Sequence, residues 1–483
     1  MLRQVQNIFP RLLRRHSFLS GVSILVSGTA LSQLLTILAA PALTRIYKPE
    51  DFGLVAIYMA IVSILGSVAS GRYEQAIPLP MEDSESLRLT SLSMMCALAT
   101  SLAAAFVILV FGETIPPLLG ASQIETILWI IPLGVLSHAI LQTFSLAAIR
   151  QKQFPFLASS KILQSISTIL VQLLGFPLGG INLAYAVVSG QVIAIANLFL
   201  RTRKGQQSAE LSWHGIAETA VSYRRFPLFS SWATLLNTTG AQFPPIILAA
   251  VFSPGAAGFY LLAQRLLSLP STLVSRSVGN VYLANSPNAL RKGQLADLTL
   301  TIYTSLLKVA MLPCLAAFML SPYVFAVVFG AQWTVSGILA QWLVIMTLAQ
   351  FVFSPLSTVF GVIGKNKVGL VLQTILFTVR LCTIMVGAVL DNLVACIAIY
   401  AAGSTVCYLF FGLQIFRHTG NPYRRLFQPL ARELALSMAC ISPLILLLLT
   451  PYPPEITIPA GILLSLVPAT AKYFIQFGHR LKP

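Results

Sequence analysis

Apolar blocks of roughly twenty or more residues recur along the whole chain, and they constrain its fold more than any other feature. About 20 apolar residues cross the hydrocarbon core of a bilayer as an α-helix. Only 9% of the 483 residues are charged, whereas about a quarter of the residues of a soluble domain are charged. No block alternates with period two over about ten residues, so the blocks predict helices and not the strands of a membrane barrel.

The blocks predict an all-α polytopic membrane protein with about 14 transmembrane helices. The predicted spans are 20–44, 52–77, 88–111, 124–149, 156–176, 180–200, 226–252, 256–283, 299–329, 334–360, 367–390, 392–416, 430–450 and 456–477. The first span follows a basic N-terminus and lacks a small-residue cleavage site. We therefore interpret it as a retained helix and not as a signal peptide.

Lysine and arginine are unevenly distributed between alternate connections of this predicted topology. With the N-terminus inside, the inside connections and termini contain 24 of the 31 basic residues. The outside connections contain only Arg45 and Lys48. By the positive-inside rule, this bias predicts that both termini are cytoplasmic. The net charge of +17 is therefore explained by topology, and we expect no nucleic-acid partner.

Short matches between the two halves recur with a constant offset of six spans. Pro49 and Gly53 open the second predicted span with the spacing P-x-x-x-G, and Pro254 and Gly258 open the eighth in the same way. An even offset preserves orientation, so the matches predict two six-helix bundles in parallel pseudo-repeat plus two C-terminal helices. The expected divisions are an N-terminal bundle at 1–200, a cytoplasmic linker at 201–225, a C-terminal bundle at 226–416, and a cytoplasmic linker with the two additional helices at 417–483.

Two opposite charges lie close together in the predicted span 52–77, where an ionisable group costs several kcal/mol. Arg72 and Glu74 are separated by about 200° on a regular helix, which predicts that they do not form a simple local salt bridge. Glu74 is the only carboxylate that we place well within a span. Two roles are open for it, namely coupling to protons or sodium, and a structural anchor that pairs with a basic residue of another helix.

Two arginines lie in the predicted span 256–283, which contains Arg265 and Arg276. Their separation is within about 20° of three full turns, so we expect both on one face, with a kink at Pro270 between them. We interpret Arg265 as facing a shared cavity, as we do Arg72. For Arg276 the alternative is a position near the inner interface, to which its side chain snorkels.

Two further polar residues are candidates for the cavity. Arg380 lies near the middle of the predicted span 367–390, where its depth favours a paired or ligand-facing role. Gln33 shares one face of the first span with Thr29 and Thr36. This polar stripe either lines the cavity or joins neighbouring helices, and both interpretations remain open.

A cationic interior follows from these positions. The candidate substrate-binding residues are Arg72, Arg265, Arg276, Arg380 and Gln33, and the candidate ion-coupling residue is Glu74. Such an interior suits an anionic ligand because a guanidinium can bind phosphate through two parallel hydrogen bonds. The sequence has no nucleotide-binding loop and no metal-ligand cluster. We therefore predict no catalytic residue, metal or cofactor, and expect a gradient of H⁺ or Na⁺ as the energy source.

Several short motifs stand out along the chain, namely Thr44-Arg45-Ile46-Tyr47, Pro49-Glu50-Asp51-Phe52-Gly53, Gly71-Arg72-Tyr73-Glu74-Gln75-Ala76-Ile77, Gly258-Phe259-Tyr260 running to Gln264-Arg265, Leu269-Pro270, Ser354-Pro355-Leu356-Ser357 and Gly364-Lys365. Together they resemble the oligosaccharide flippases of the multidrug/oligosaccharidyl-lipid/polysaccharide exporter superfamily, in its Wzx-like polysaccharide branch. The resemblance implies a multi-pass protein of the bacterial inner membrane that flips an undecaprenyl-pyrophosphate-linked oligosaccharide. It supports Arg72 and Arg265 as cavity residues, and glycosyltransferases and a polymerase of the same pathway are candidate partners.

Two other functions remain as alternatives. An ion-coupled small-molecule antiporter of the same superfamily is one, although an excess of arginine over carboxylate poorly suits cationic substrates. The other is a membrane-embedded polysaccharide polymerase or ligase, an enzyme that typically needs polar catalytic groups on a sizeable outside loop. The predicted outside loops are short and contain no histidine, so the sequence favours a transporter over an enzyme.

Overall fold

A computed structural model describes residues 17–118, 124–202, 212–270 and 274–448, together with scattered positions between 458 and 472. These residues form helices and contain no strand. The longer helices are α1 (Ser17–Ile46), α2 (Pro49–Gly66), α3 (Asp83–Phe111), α4 (Ile130–Arg150), α5 (Phe154–Leu174), α6 (Gly180–Thr202), α7 (Trp213–Ser222), α8 (Ser231–Val251), α9 (Pro254–Pro270), α10 (Arg276–Arg291), α11 (Leu295–Phe329), α12 (Thr334–Phe353), α13 (Asn366–Val389), α14 (Leu393–Thr419) and α15 (Arg424–Leu448).

Shorter helical turns lie between these helices. They are the α-helical turns Ile115–Leu118, Glu125–Leu128 and Val359–Val362, the 3₁₀ turns Tyr73–Ala76, Phe176–Leu178, Ala331–Trp333 and Pro355–Thr358, and the π turn Phe226–Ser230.

Eleven helical stretches of the described residues are long and apolar enough to cross a membrane. The predicted all-α polytopic fold is therefore confirmed, but the number of about fourteen spans is not. The predicted span 226–252 corresponds to α8, and the predicted span 256–283 corresponds to α9 together with α10. None of these three helices is among the eleven stretches. The predicted span 456–477 falls largely outside the described residues.

The first compact unit comprises Met1–Leu262 and Val328–Trp333. Helix α2 packs against α4, α6 and α8, and its residues Ile57 and Tyr58 are fully buried. Around it, α1 packs along α5, α5 along α6, and α3 along α4. Burial of α2 on several sides is consistent with its lack of a polar face, since a helix that is apolar all round packs inside a bundle.

Two glycines bring α2 and the start of α9 into backbone contact within this unit. A Cβ atom on Gly53 would lie 1.7 Å from the carbonyl oxygen of Pro254, and a Cβ atom on Gly258 would lie 2.0 Å from that of Pro49. Small residues allow such close approach between membrane helices. The contact is reciprocal, because it joins the two P-x-x-x-G motifs that the sequence repeats.

The chain leaves helical geometry after α2, earlier than the sequence predicts. Helix α2 ends at Gly66, whereas the predicted span continued to residue 77. Gly71 and Arg72 have φ angles of 60° and 61°, and the turn Tyr73–Ala76 is a 3₁₀ helix. A right-handed α-helix cannot pass through left-handed residues, so the segment 67–82 is a connection between α2 and α3.

The second compact unit comprises Ala263–Val327 and Thr334–Pro483. Helix α14 packs against both α12 and α13. Tyr303 anchors an aromatic cluster, since its ring centroid lies 5.8 Å from that of Phe353 and 5.1 Å from that of Phe416. The Tyr303 hydroxyl donates a hydrogen bond of 2.8 Å to the carbonyl of Leu426, which joins α11 to the start of α15.

A buried ion pair in this unit was missed by the sequence analysis. The Nζ atom of Lys472 lies 3.3 Å from Oε2 of Glu433, and each side chain is only 4% exposed. Lys472 also donates a hydrogen bond of 2.6 Å to the Ser437 hydroxyl. The prediction that Glu74 is the only carboxylate well within a span is therefore wrong. It failed because Glu433 lies near the start of a predicted span and its partner comes from a distant part of the chain.

Candidate functional site

Arg72 and Glu74 form an ion pair in the connection between α2 and α3. Nη1 of Arg72 lies 3.3 Å from Oε1 of Glu74, and the Ser70 hydroxyl donates a hydrogen bond to Oε2 of the same carboxylate. The Glu74 side chain is 4% exposed and that of Arg72 is 17% exposed. Burial weakens solvent screening, so this pair interacts more strongly than an exposed one.

The prediction that Arg72 and Glu74 do not form a local salt bridge is wrong. It assumed a regular helix through both residues, on which their side chains point in different directions. The left-handed backbone at Arg72 and the 3₁₀ turn that follows replace that helix. The side chains can meet because the backbone between them is not α-helical.

Hydrogen bonds to α3 and to α7 hold this connection in place. Thr100 of α3 donates a hydrogen bond of 3.0 Å to the carbonyl of Ala69. The Tyr73 hydroxyl donates one of 3.2 Å to the carbonyl of Ala220 in α7. The connection that carries Arg72 and Glu74 is thus anchored from two sides, by a membrane helix and by the short helix α7.

A cavity of about 430 Å³ opens beside the ion pair, within the first unit. Its volume falls in the range of small-molecule sites, about 300–1,000 Å³. The lining residues are Arg72, Glu74, Gln75 and Leu79 from the connection, Gln142 and Leu146 from α4, and Phe226 from the π turn. The cavity therefore combines one cation, one carboxylate, two amides and three apolar side chains.

Arg72 has hydrogen-bonding capacity to spare at this cavity. Its Nε atom is buried and has no hydrogen-bond partner among the described residues. Its Nη1 makes the contact with Glu74 and a hydrogen bond of 3.4 Å to the carbonyl of Ser67. A buried donor without an acceptor is costly and calls for an explanation. An anionic ligand in the cavity would reach the exposed part of the same side chain, which is 17% exposed and lines the cavity.

The remaining predicted arginines belong to the second unit. Arg265, in α9, is partly buried, and its guanidinium has no ion pair or hydrogen bond to another described residue. Arg276 begins α10, but its side chain lies outside the described part of the structure. Helix α9 ends at Pro270 and residues 271–273 are not described. The shared face of Arg265 and Arg276 therefore stays a prediction.

Arg380 binds side chains of the neighbouring helix α14. Its Nε donates a hydrogen bond of 3.4 Å to the Ser404 hydroxyl, and its Nη2 donates one of 3.3 Å to the Tyr408 hydroxyl. The guanidinium carbon lies 5.7 Å from the centre of the Tyr408 ring, within cation–π range. These contacts occupy two donors of the guanidinium, while a ligand-facing role of Arg380 stays a prediction.

The polar stripe of α1 contributes to helix packing. Lys161 donates a hydrogen bond of 3.0 Å to the Thr29 hydroxyl, and the hydroxyls of Ser32 and Ser165 lie 2.6 Å apart. Both contacts join α1 to α5. Lys161 lies within α5. Gln33 is partly buried, and its role in a cavity stays a prediction.

Five cavity residues were not predicted from the sequence, namely Gln75, Leu79, Gln142, Leu146 and Phe226. Gln75 lies next to Glu74 in a motif that was recognised, so its position in the chain was the available signal. Gln142 is a neutral amide in an apolar helix, and Phe226 is one apolar residue among many. Neither has a sequence pattern that separates it from ordinary helix-packing residues.

Comparison with protein families identifies the chain. Residues 42–338 match the family described as polysaccharide biosynthesis protein. The match covers more than half of the chain. This protein belongs to the polysaccharide biosynthesis protein family. The matched region contains Arg72, Glu74 and every residue of the cavity.

One protein with a similar sequence is the succinoglycan biosynthesis transport protein ExoT of Rhizobium meliloti (strain 1021). The two chains are 24% identical over 333 residues, which are 67% of this chain and 64% of the relative. The match thus spans less than two thirds of that relative's length.

Solved structures establish the fold. The lipid II flippase MurJ in an inward closed conformation superposes with a TM-score of 0.73 at 12% identity, covering 95% of this chain and 99% of that one. An inward-facing multidrug resistance MATE family transporter of the MOP superfamily gives a TM-score of 0.62 at 15% identity, covering 80% and 94%. The resemblance found in the sequence motifs is confirmed for family and fold.

Proposed function

We propose that this protein is a flippase that moves an undecaprenyl-pyrophosphate-linked oligosaccharide across the bacterial inner membrane by alternating access. The product would serve O-antigen, capsule or exopolysaccharide synthesis. Family membership and the fold shared with a lipid II flippase support this proposal. The observation that carries it is the partly exposed guanidinium side chain of Arg72 in the lining of a cavity.

The cavity offers chemistry for both parts of such a headgroup. The guanidinium of Arg72 suits a phosphate oxygen, because guanidinium–phosphate hydrogen bonds are charge-assisted. The amides of Gln75 and Gln142 can exchange hydrogen bonds with sugar hydroxyls. Phe226 and the two leucines offer apolar surface to the faces of the sugar rings. Arg265, in the second unit, remains a proposed substrate-binding residue.

Glu74 provides a route for ion coupling in this proposal. A pyrophosphate that binds Arg72 competes with the carboxylate for the guanidinium. A buried carboxylate without its cation is costly, and it is stabilised by taking up a proton. Binding of the headgroup would then be linked to protonation of Glu74, and a proton gradient would drive the cycle. Both termini are cytoplasmic in this arrangement, and glycosyltransferases and a polymerase supply and consume the substrate.

Reconstitution in liposomes tests the function. We expect the purified protein to bring a lipid-linked oligosaccharide from the inner to the outer leaflet, where an impermeant lectin detects it, and to do so faster under a proton gradient. Protein-free liposomes are the control. Transport no faster than in those liposomes would contradict the flippase. Gradient-driven exchange of small organic ions in the same vesicles would favour the antiporter, which the MATE-like fold also allows.

Replacing Glu74 with glutamine should separate headgroup binding from coupling. Glutamine retains an acceptor for the Ser70 hydroxyl but cannot take up a proton. We expect Glu74→Gln to flip the lipid with a rate that no longer responds to the proton gradient. The measurement is the initial rate over a series of gradients. Glu113→Gln, which changes an exposed carboxylate at the end of α3, is the matched control. A normal gradient response in Glu74→Gln would exclude this residue as the coupling site.

A further inference from the structure

Arg150, at the C-terminal end of α4, binds the connection that carries Glu74. Its guanidinium reaches successive carbonyl groups of that connection and the first carboxylate of α3. The acceptors are the carbonyl oxygens of Ile77 at 3.3 Å, Pro80, Met81 at 3.4 Å and Glu82 at 3.1 Å, and Oδ1 of Asp83 at 2.9 Å. One side chain thus fastens the whole end of the connection to α4.

The position of Arg150 on α4 relates these contacts to the cavity. Leu146, one helical turn earlier, lines the cavity, and so does Gln142 another turn before it. Residues four apart lie on the same side of a helix. The connection supplies Glu74 and Leu79 to the same lining. Arg150 therefore ties together α4 and the connection, the two segments that form these cavity walls.

The carbonyl contacts, and not the ion pair, account for this attachment. The Asp83 side chain is 92% exposed, whereas that of Arg150 is 14% exposed. Water screens an exposed ion pair, so it contributes little. The planar guanidinium presents five donors in a fixed arrangement, which allows it to reach several carbonyls at once. Lysine carries the same charge but lacks this geometry.

We propose that Arg150 is a positioning residue that sets the separation of the two cavity walls and thereby the affinity for the headgroup. Arg150 is not among the described residues that line the cavity, and it acts through the connection that bears Glu74 and Gln75. The ligand in this proposal rests on the proposed function, whereas the attachment of the connection to α4 does not.

Two measurements on the full-length protein test the proposal. Hydrogen exchange of the amides in segment 73–82, measured in nanodiscs without substrate, should accelerate in Arg150→Gln. In the liposome assay, the concentration of lipid-linked oligosaccharide at half-maximal rate should rise about tenfold, with a similar maximal rate. Arg150→Lys should show the same change in part. Asp83→Asn removes only the exposed ion pair, and it should match the wild type in both measurements.

Each outcome decides one part of the proposal. Unchanged exchange and unchanged half-saturation in Arg150→Gln would overturn the positioning role. A fall in the maximal rate alone would overturn it as well, because a change in cavity width acts on binding. If Arg150→Gln does not accumulate, Arg150→Lys provides the same comparison. If exchange accelerates in Arg150→Gln but the wild-type protein moves no lipid-linked oligosaccharide, the attachment of the connection to α4 is supported and the proposed function is contradicted.

Discussion

Replacing Arg72 with alanine is expected to abolish or strongly reduce flipping while the protein still inserts in the membrane. The change removes the only cationic side chain among the described residues that line the cavity. A hydrogen bond to a charged group contributes about 1.5–3 kcal/mol, so affinity for a phosphate-bearing headgroup should fall about ten- to hundredfold. The measurements are flipping in liposomes and the amount of surface polysaccharide in cells that depend on the protein.

Two further variants sharpen this expectation. Arg72→Lys keeps the charge but loses the fork of donors, so we expect an intermediate loss. Arg45→Ala removes an exposed arginine at the end of α1 and should leave transport unchanged. Arg265→Ala, assayed in parallel, tests the second proposed cationic residue. Full activity of Arg72→Ala at wild-type protein levels would remove this cavity from the transport mechanism.

Replacing Gly53 with alanine should strongly destabilise the first unit. The added Cβ atom would lie 1.7 Å from the carbonyl oxygen of Pro254, and neither backbone can move away without separating α2 from α9. Overpacking of this kind costs about 1–3 kcal/mol or more, and backbone on both sides places the expected loss at or above the upper end. A lower Tm and lower accumulation of the detergent-solubilised protein are the expected results, and Gly258→Ala should behave alike.

The two glycine contacts join the same pair of helices, so the stability of the double variant can also be predicted. Both substitutions separate the same pair of helices, so Gly53→Ala with Gly258→Ala should cost less than the sum of the single changes. Gly369→Ala in α13 is the matched control, because its added Cβ atom meets nothing closer than 3.5 Å. Alanine also favours the helix there. Wild-type Tm in Gly53→Ala would contradict the close backbone contact.

The membrane-spanning helices could be predicted because whether a segment crosses the bilayer depends largely on that segment's own residues. The hydrocarbon thickness sets its length, and partition of apolar side chains into lipid acts on every block separately. The first six predicted spans accordingly correspond to helices of the first unit. The ends were less predictable. Span 52–77 ran too far because hydropathy does not report backbone angles, and Gly71 and Arg72 adopt left-handed ones.

Residue type alone made Arg72 and Glu74 candidates, because charge within an apolar block needs an explanation. Their pairing depended on a backbone conformation that helical geometry does not describe. Gln142 and Phe226 become cavity residues only when α4 and the π turn meet the connection. Glu433 and Lys472 likewise find each other only in the folded second unit.

The sequence by itself determined that this protein is an all-α membrane protein, that a few charges lie within its spans, and that its motifs match polysaccharide flippases. Those properties follow from local composition and from the thickness of the bilayer. Tertiary structure alone decided that Arg72 binds Glu74, that Arg150 holds their connection, and that the two P-x-x-x-G motifs pack against each other. These contacts depend on left-handed backbone and on the approach of distant helices, which no single segment encodes.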